Sequence, residues 1–273
     1  MSIIQDAKAY AEIMHGDQKY GKNPYSYHLS SVASLLNKWG MDEKTVAAGW
    51  LHDTVEDTTI TISELAKKFG SDIEHMVWFC TKSKAKTHED NHLDLLFRMK
   101  NTMTNSKDPR CIAVKFADRI CNMRECIIDG KYNKLLQYIR ESVDYITTVG
   151  GVLEDHLLFT PINDLVKTIK AAELAVFSTK GLQSLNPDNQ VHELKIWPQY
   201  LNAVKSGDKP FELRKNDRDY QVGDLLRLME YNKDTFEYTG EYCVRKVTYV
   251  LRGRDIHGLA PDYCVLGIES YIL

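Results

Sequence analysis

No stretch of these 273 residues approaches the roughly twenty consecutive apolar residues that a bilayer-spanning helix requires, so no membrane segment is expected. The six cysteines (Cys80, Cys111, Cys121, Cys126, Cys243 and Cys264) include no C-x-x-C pair, which leaves reduced thiols in a cytoplasmic protein as the expectation. Neither sign of charge dominates. With 35 Lys and Arg against 38 Asp and Glu the net charge is -3, so there is no general attraction to nucleic acid or membrane, and any such binding must be local. No internal repeat is visible. The N-terminus, Met1-Ser2-Ile3-Ile4-Gln5-Asp6-Ala7-Lys8, is amphipathic rather than a basic segment followed by an apolar one, so no secretory leader is expected. What is present is apolar content of 43%, enough to fill one large or two medium cores.

Helical spacing recurs through the first two-thirds of the chain. Ile3, Ala7, Tyr10, Ala11 and Met14 predict an opening helix ending near His15-Gly16, followed by a polar loop to Tyr25 whose Lys19 and Lys22 could face an anion. His28 is expected to open a second helix with Val32, Leu35, Leu36 and Trp39 inward. Asp42 predicts the cap of a third, Thr61 to Glu64 has capping-box spacing, and Ser71 to Glu74 repeats it. Asp108-Pro109 signals a further helix start. Helices are also expected over about Lys131 to Val149 and Gly151 to Phe177, the latter bent at Pro161. Residues 1–177 therefore read as an all-helical domain and the turn-rich segment 178–190 as a linker. In residues 191–273, short runs such as Val191 to Trp197, Leu225 to Leu228, Tyr242 to Val250 and Tyr263 to Ile268 are rich in β-branched and aromatic residues and separated by turn signals. Only Pro198 to Lys205 looks helical there. The fold class is α+β multidomain, a helical bundle followed by a small, mainly β domain.

The chemistry centres on Leu51-His52-Asp53-Thr54-Val55-Glu56-Asp57. If this run is helical, His52 stacks over Glu56 and Asp53 over Asp57. Three carboxylates so close repel one another, and burying them requires a cation or solvent. The alternative is a solvated acidic helix end. Two other residues bear on the choice. His28 taken alone reads as a core histidine, and Asp118, inside the apolar run Ile112 to Ala117, as a salt-bridge partner of Lys115 or Arg119. Taken together, His28, His52, Asp53 and Asp118 supply two imidazoles and two carboxylates from three predicted helices. That donor set suits an octahedral Mn2+, Fe2+ or Mg2+ centre with open positions, rather than a thiolate zinc site. Such an ion activates water and neutralises phosphate.

The H…HD…D spacing is the signature of the HD superfamily of phosphohydrolases, and the flanks narrow the resemblance. His15-Gly16-Asp17-Gln18-Lys19, Pro24-Tyr25 with His28, Ala47 to Thr58, Phe69-Gly70, Thr81-Lys82 and Lys115 to Met123 follow in the order found in the hydrolase domain of RelA/SpoT-type enzymes and small alarmone hydrolases. This resemblance implies manganese-dependent removal of the 3′-pyrophosphate from ppGpp and pppGpp. It implies that His28, His52, Asp53 and Asp118 hold the metal and that Glu56 and Asp57 orient or deprotonate the attacking water. Asn122 and Arg119 would lie beside the guanine nucleotide, and Lys115 would neutralise nearby charge. The family loop before Pro-Tyr usually carries an adjacent basic pair, whereas here Tyr20 follows Lys19, so Lys19 or Lys22 would serve instead.

Residues 191–273 resemble the ASCH group of PUA-like β-barrels through Glu193 to Trp197, Tyr200, Val204 to Lys209, Phe211 to Arg218 and Val222-Gly223-Asp224. The group's core motif falls on Lys209, Glu212 and Arg214, and the resemblance implies binding of RNA or a modified nucleoside. Two rival functions share these features. One is an HD phosphohydrolase acting on other nucleotides, and the other an RNA- or nucleotide-binding regulator that uses the HD domain as an alarmone sensor. Oligomeric state is not legible.

Overall fold

The computed structural model describes residues 2–105, 108–152 and 156–271. They fall into two units, Met1–Glu173 and Leu174–Leu273. Among the described residues no helix is long and apolar enough to cross a membrane, and all six cysteines are buried thiols.

The first unit is a helical bundle. Helix α1 (Ile3–His15) starts at a capping box in which the Ser2 hydroxyl accepts from the Gln5 amide and the Gln5 side chain accepts from the Ser2 amide. The polar loop after it closes as a minimal antiparallel hairpin, β1 (Lys19–Tyr20) and β2 (Asn23–Pro24), turning through Gly21 at φ 61°. Helix α2 (Tyr25–Lys38) begins directly after Pro24, so His28 lies one turn inside it rather than opening it. Asp42 caps α3 (Glu43–Leu51) by accepting from the Thr45 amide at 2.8 Å.

The bundle continues through α4 (Thr54–Asp57), α5 (Ile62–Phe69) with its Thr61–Glu64 capping box, α6 (Ser71–Cys80) and α7 (His88–Thr104). The second capping box expected at Ser71 does not form. Gly70, at φ 84°, is the N-cap residue and Ser71 is already helical. Helix α8 (Arg110–Asp129) is buried almost all round and packs against α2, α3, α6 and α9 (Tyr132–Val149). Helix α10 (Phe159–Val176) starts later than the expected Gly151, and residues 153–155 of that expected span lie outside the described residues. Pro161 falls in its first turn, where a missing N–H breaks no helical bond.

The second unit is a curled five-stranded half-barrel in the order β3-β5-β6-β7-β4. Its strands are β3 (Val191–Ile196), β4 (Phe211–Lys215), β5 (Leu225–Asn232), β6 (Glu237–Arg252) and β7 (Tyr263–Ser270). β3 runs parallel to β5 and the other pairs are antiparallel. The expected barrel is thus an open one, since β3 and β4 each pair on one side only among the described residues. Alternate residues Leu194, Ile196, Leu226, Leu228, Leu266 and Ile268 face a core closed by Leu201 and Val204 of α12 (Pro198–Ser206). The segment expected as a linker carries α11 (Thr179–Leu185), whose Leu182 is fully buried with Leu225 and Val244 in a second cluster.

Candidate metal centre

Close packing of α2 on α3 brings the two histidines together. A Cβ on Gly49 would lie 2.6 Å from Leu36 Cδ1 and 3.3 Å from Ala33 Cα, so any other residue would force Leu36 to shift and the helices to ease apart. Helix α3 then stops at Leu51. His52 and Asp53 form a break before α4, because the His52 ring turns back and its Nδ1 donates to the Gly49 carbonyl at 2.9 Å. That bond satisfies a carbonyl at the helix end and fixes the tautomer, leaving Nε2 as a lone-pair donor aimed into the site. The expected continuous helix, with Glu56 stacked on His52, is therefore replaced by two helices and a corner.

Four ligand atoms converge at that corner. His52 Nε2 lies 3.0 Å from Asp53 Oδ2 and 3.7 Å from Asp118 Oδ1, and His28 Nε2 lies 3.6 Å and 3.4 Å from the same two atoms. The donor atoms of His28, His52 and Asp118 lie within 4.8 Å of one another, and all three residues are buried. Neighbouring ligands about 2.1 Å from one octahedral ion would stand roughly 3 Å apart, so the spacing fits a divalent cation. His52 Nε2 is a buried nitrogen without a hydrogen-bond partner. Its natural complement is a positive centre. The electrostatics agree: burial opposes a charged His52, yet Asp53 and Asp118 outweigh it and raise its pKa to about 10. Burial likewise works against charge on the two carboxylates, and the surrounding cations hold both below the usual range, His52 dominating for Asp53 and Lys115 for Asp118. The cluster favours positive charge, which a divalent ion could supply in place of a proton.

The residues around the ligands are tied into them. Lys115 Nζ donates to Asp118 Oδ2 at 2.7 Å, and the Asn122 amide donates to Asp118 Oδ1 while its own oxygen accepts from the Tyr20 hydroxyl at 2.7 Å. Tyr20 stacks on His28 at 4.5 Å. The Tyr25 hydroxyl is 2.9 Å from Asp53 Oδ2 and 2.5 Å from Asp57 Oδ2. Burial, reinforced by Asp118 and Asp53 respectively, pushes both phenols well above their ordinary range, so they remain donors. Glu56 points elsewhere, accepting from the Lys82 amide at 3.1 Å and from its Nζ at 3.2 Å.

Arg119, also buried, leaves the ligand side entirely and binds Glu141 and Tyr145 of α9. Lys19 and Lys22 are exposed on the hairpin. Of the residues the resemblance places around a nucleotide, Lys115, Arg119 and Asn122 are thus engaged within the protein.

A groove of about 240 Å³ opens beside His28, flanked by Tyr20, Tyr27, Cys121, Arg124 and Glu125. Sequence reasoning passed over these residues. The signal was present, since Cys121, Asn122 and Glu125 follow Asp118 at helical spacing and share its face. In the second unit, Lys209, Glu212 and Arg214 do come together. Buried Glu212 binds Lys209 through Oε1 and Arg214 Nη2 through Oε2, the latter at 2.8 Å.

Residues 7–140 match the HD domain family, and residues 191–268 match a domain of unknown function, DUF3850. GTP pyrophosphokinase rsh of Brucella ovis is 34% identical over 158 residues, which are 55% of this chain and 20% of that protein. GTP pyrophosphokinase of Myxococcus xanthus is 30% identical over 188 residues, 66% of this chain and 24% of that one. The chain thus spans about a fifth to a quarter of these relatives. A solved structure described as a metazoan ortholog of SpoT that hydrolyzes ppGpp aligns with a TM-score of 0.50 at 21% identity, covering 61% of this chain and 95% of that one, a likeness of fold.

Proposed function

We propose, taking residues 7–140 as an HD domain, that the N-terminal unit is a metal-dependent phosphohydrolase. Its substrates would be guanosine 3′,5′-bis(diphosphate) and the pentaphosphate, cleaved to GDP or GTP and pyrophosphate. The observation that carries this reading is the buried, unpartnered His52 Nε2 facing His28 of α2, Asp53 of its own corner and Asp118 of α8. The guanine-nucleotide substrate is favoured by the names of the relatives. His28, His52, Asp53 and Asp118 would hold the ion, with Mn2+ expected and Fe2+ or Mg2+ as alternatives. When bound, it would make water a nucleophile near neutral pH and offset phosphate charge.

The remaining work falls to the chain. Lys115 and Asn122 fix both oxygens of Asp118. Asp57, exposed and held by Tyr25, would orient a water or take its proton, a role supported by its contact with Tyr25, while Glu56 is turned to Lys82. Arg124, exposed beside the groove at His28, offers the substrate phosphates a cation that Lys115 and Arg119 cannot.

The test is pyrophosphate release from ppGpp with Mn2+, compared over a nucleotide panel. Wild type should turn over, and Asp53→Ala should lose both metal and activity. Asp57→Asn should still bind the metal with the rate lowered by roughly two to four decades, whereas Glu56→Gln, whose carboxylate is turned to Lys82, should lower it less. Equal rates for wild type and Asp53→Ala would overturn the enzyme reading. Faster cleavage of another nucleotide would reassign the substrate, and tight alarmone binding without turnover would favour a sensor.

A second reading concerns residues 191–273, where Trp197 stacks on Tyr200 at 5.8 Å and Lys209 lies over Tyr200 and Phe211. Partly exposed aromatics interleaved with lysines fit a base-stacking surface for RNA or a nucleoside. Anisotropy of a labelled single-stranded RNA, lost in Trp197→Ala, would support it.

A further inference from the structure

Tyr25 stands between the two halves of the candidate site. Its hydroxyl lies 2.9 Å from Oδ2 of Asp53, one of the candidate ligand atoms, and 2.5 Å from Oδ2 of Asp57. A phenol carries a single proton, so it donates to one carboxylate at a time. The partner not served then faces only the oxygen lone pairs.

The arrangement is held from both ends. The Tyr25 ring stacks on buried His15 at 4.4 Å with an interplanar angle of 8°. His15 Nδ1 bonds Gln18 Oε1 at 2.8 Å, and Gln18 Nε2 donates to the main-chain carbonyl of Asp57 at 2.9 Å. Ring and carboxylate backbone are therefore fixed relative to each other by residues outside the site, and the hydroxyl has little freedom except to choose its acceptor.

We propose that Tyr25 is a positioning residue that couples the metal-holding carboxylate Asp53 to the water-handling carboxylate Asp57 through one shared hydrogen bond. The inference rests on the phosphohydrolase reading. With Asp53 engaged by a cation, the hydroxyl donates to Asp57 and fixes one of its oxygens, leaving the other to meet water. With Asp53 free, the same hydroxyl steadies the ligand and releases Asp57. Occupancy of the metal site thereby sets the orientation of Asp57.

The experiment is a double-mutant cycle read by calorimetric titration of the metal-free full-length chain with Mn2+ alone. It uses wild type, Tyr25→Phe, Asp57→Asn and the double variant, with kcat and KM for pyrophosphate release measured in parallel. Tyr25→Phe keeps the stacking ring and is expected to bind Mn2+ several-fold more tightly, because the ion no longer has to displace the hydroxyl from free Asp53. Its kcat should fall while KM stays within about threefold, because the hydroxyl does not hold substrate. The decisive result is coupling: Asp57→Asn should change Mn2+ affinity in the wild-type background by several-fold more than in the Tyr25→Phe background.

Equal factors in both backgrounds, or wild-type Mn2+ affinity in Tyr25→Phe, would overturn the proposal while leaving the enzyme reading intact. Wild type that neither binds Mn2+ nor releases pyrophosphate would overturn both. Should Tyr25→Phe fail to fold, 3-fluorotyrosine at position 25 retains the ring and hydroxyl. A shift in Mn2+ affinity that disappears with Asp57→Asn would then support the coupling, and a shift that persists unchanged would overturn it.

Discussion

Replacing Arg119 by methionine tests whether this arginine belongs to the core or to the substrate. Arg119 is 5% exposed and Glu141 7%, and they meet at 2.5 Å with Tyr145 as a second acceptor at 2.7 Å. Burial by itself raises the Glu141 carboxyl, but Arg119, helped by Gln137 and His88, draws it down to about 2 from an ordinary 4.5. A depression of that size corresponds to about 3 kcal/mol of folding free energy. Because the folded value is the lower one, this stability is complete above about pH 4.5 and disappears as the pH falls toward 2. Methionine at 119 fills similar space but strands the carboxylate, for which buried pairs set a loss of about 3–5 kcal/mol. The two routes agree. Urea unfolding of the full chain at pH 7 should show this loss for Arg119→Met, and pairing it with Glu141→Met should recover much of it. The variant's stability deficit relative to wild type should also shrink between pH 4.5 and 2. A loss below about 1 kcal/mol, together with a raised KM for the nucleotide, would refute the assignment and return Arg119 to the substrate.

Two further outcomes follow from the ligand cluster. At a Mn2+ concentration 100 times its Kd the full chain should gain about 2.7 kcal/mol over the chelated protein, and His52→Ala, lacking the unpartnered Nε2, should gain nothing. Equal stabilisation of both would place the ion elsewhere. Gly49→Ala should cost about 1–3 kcal/mol in chemical denaturation, because the new methyl meets Leu36 and Ala33. The same variant should weaken Mn2+ binding, since the Gly49 carbonyl orients His52. Unchanged stability and affinity would show that α2 and α3 can move apart without consequence.

Local signals were legible wherever a residue acts on its own backbone. Asp42 and Thr61 carry cap spacing and do cap their helices, as Ser2 also does. Ser71 has the same spacing and does not cap, because Gly70 adopts a positive φ that puts the helix start one residue earlier. Strand β4 escaped notice for a different reason. Its polar residues Glu212 and Arg214 turn inward while Phe211 and Leu213 are 44% and 50% exposed, which inverts the alternation a half-buried strand usually displays. The ligand residue types stood out in the sequence, but the corner at His52-Asp53 did not. It depends on a ring nitrogen reaching the Gly49 carbonyl, a choice of side-chain direction that no spacing encodes.

Helix α8 explains why the site and the core are so closely joined. It is buried on nearly every side, yet Lys115, Asp118 and Arg119 stand within five consecutive residues of it. Burying three charges is costly unless each is answered, and each is answered in a different direction. Asp118 turns toward His28 and His52, with Lys115 on its other oxygen. Arg119 turns toward Glu141 and Tyr145, while Asn122 links Asp118 to Tyr20 on the hairpin. Sliding α8 by one residue along its neighbours would break all of these partnerships at once, so the polar groups penalise misregister far more sharply than interchangeable apolar contacts could. Asp118 is therefore held at the ligand cluster by the same interactions that fix how α8 packs. A substitution at Glu141, on the far side of that helix, should reach the candidate metal through the helix rather than through space.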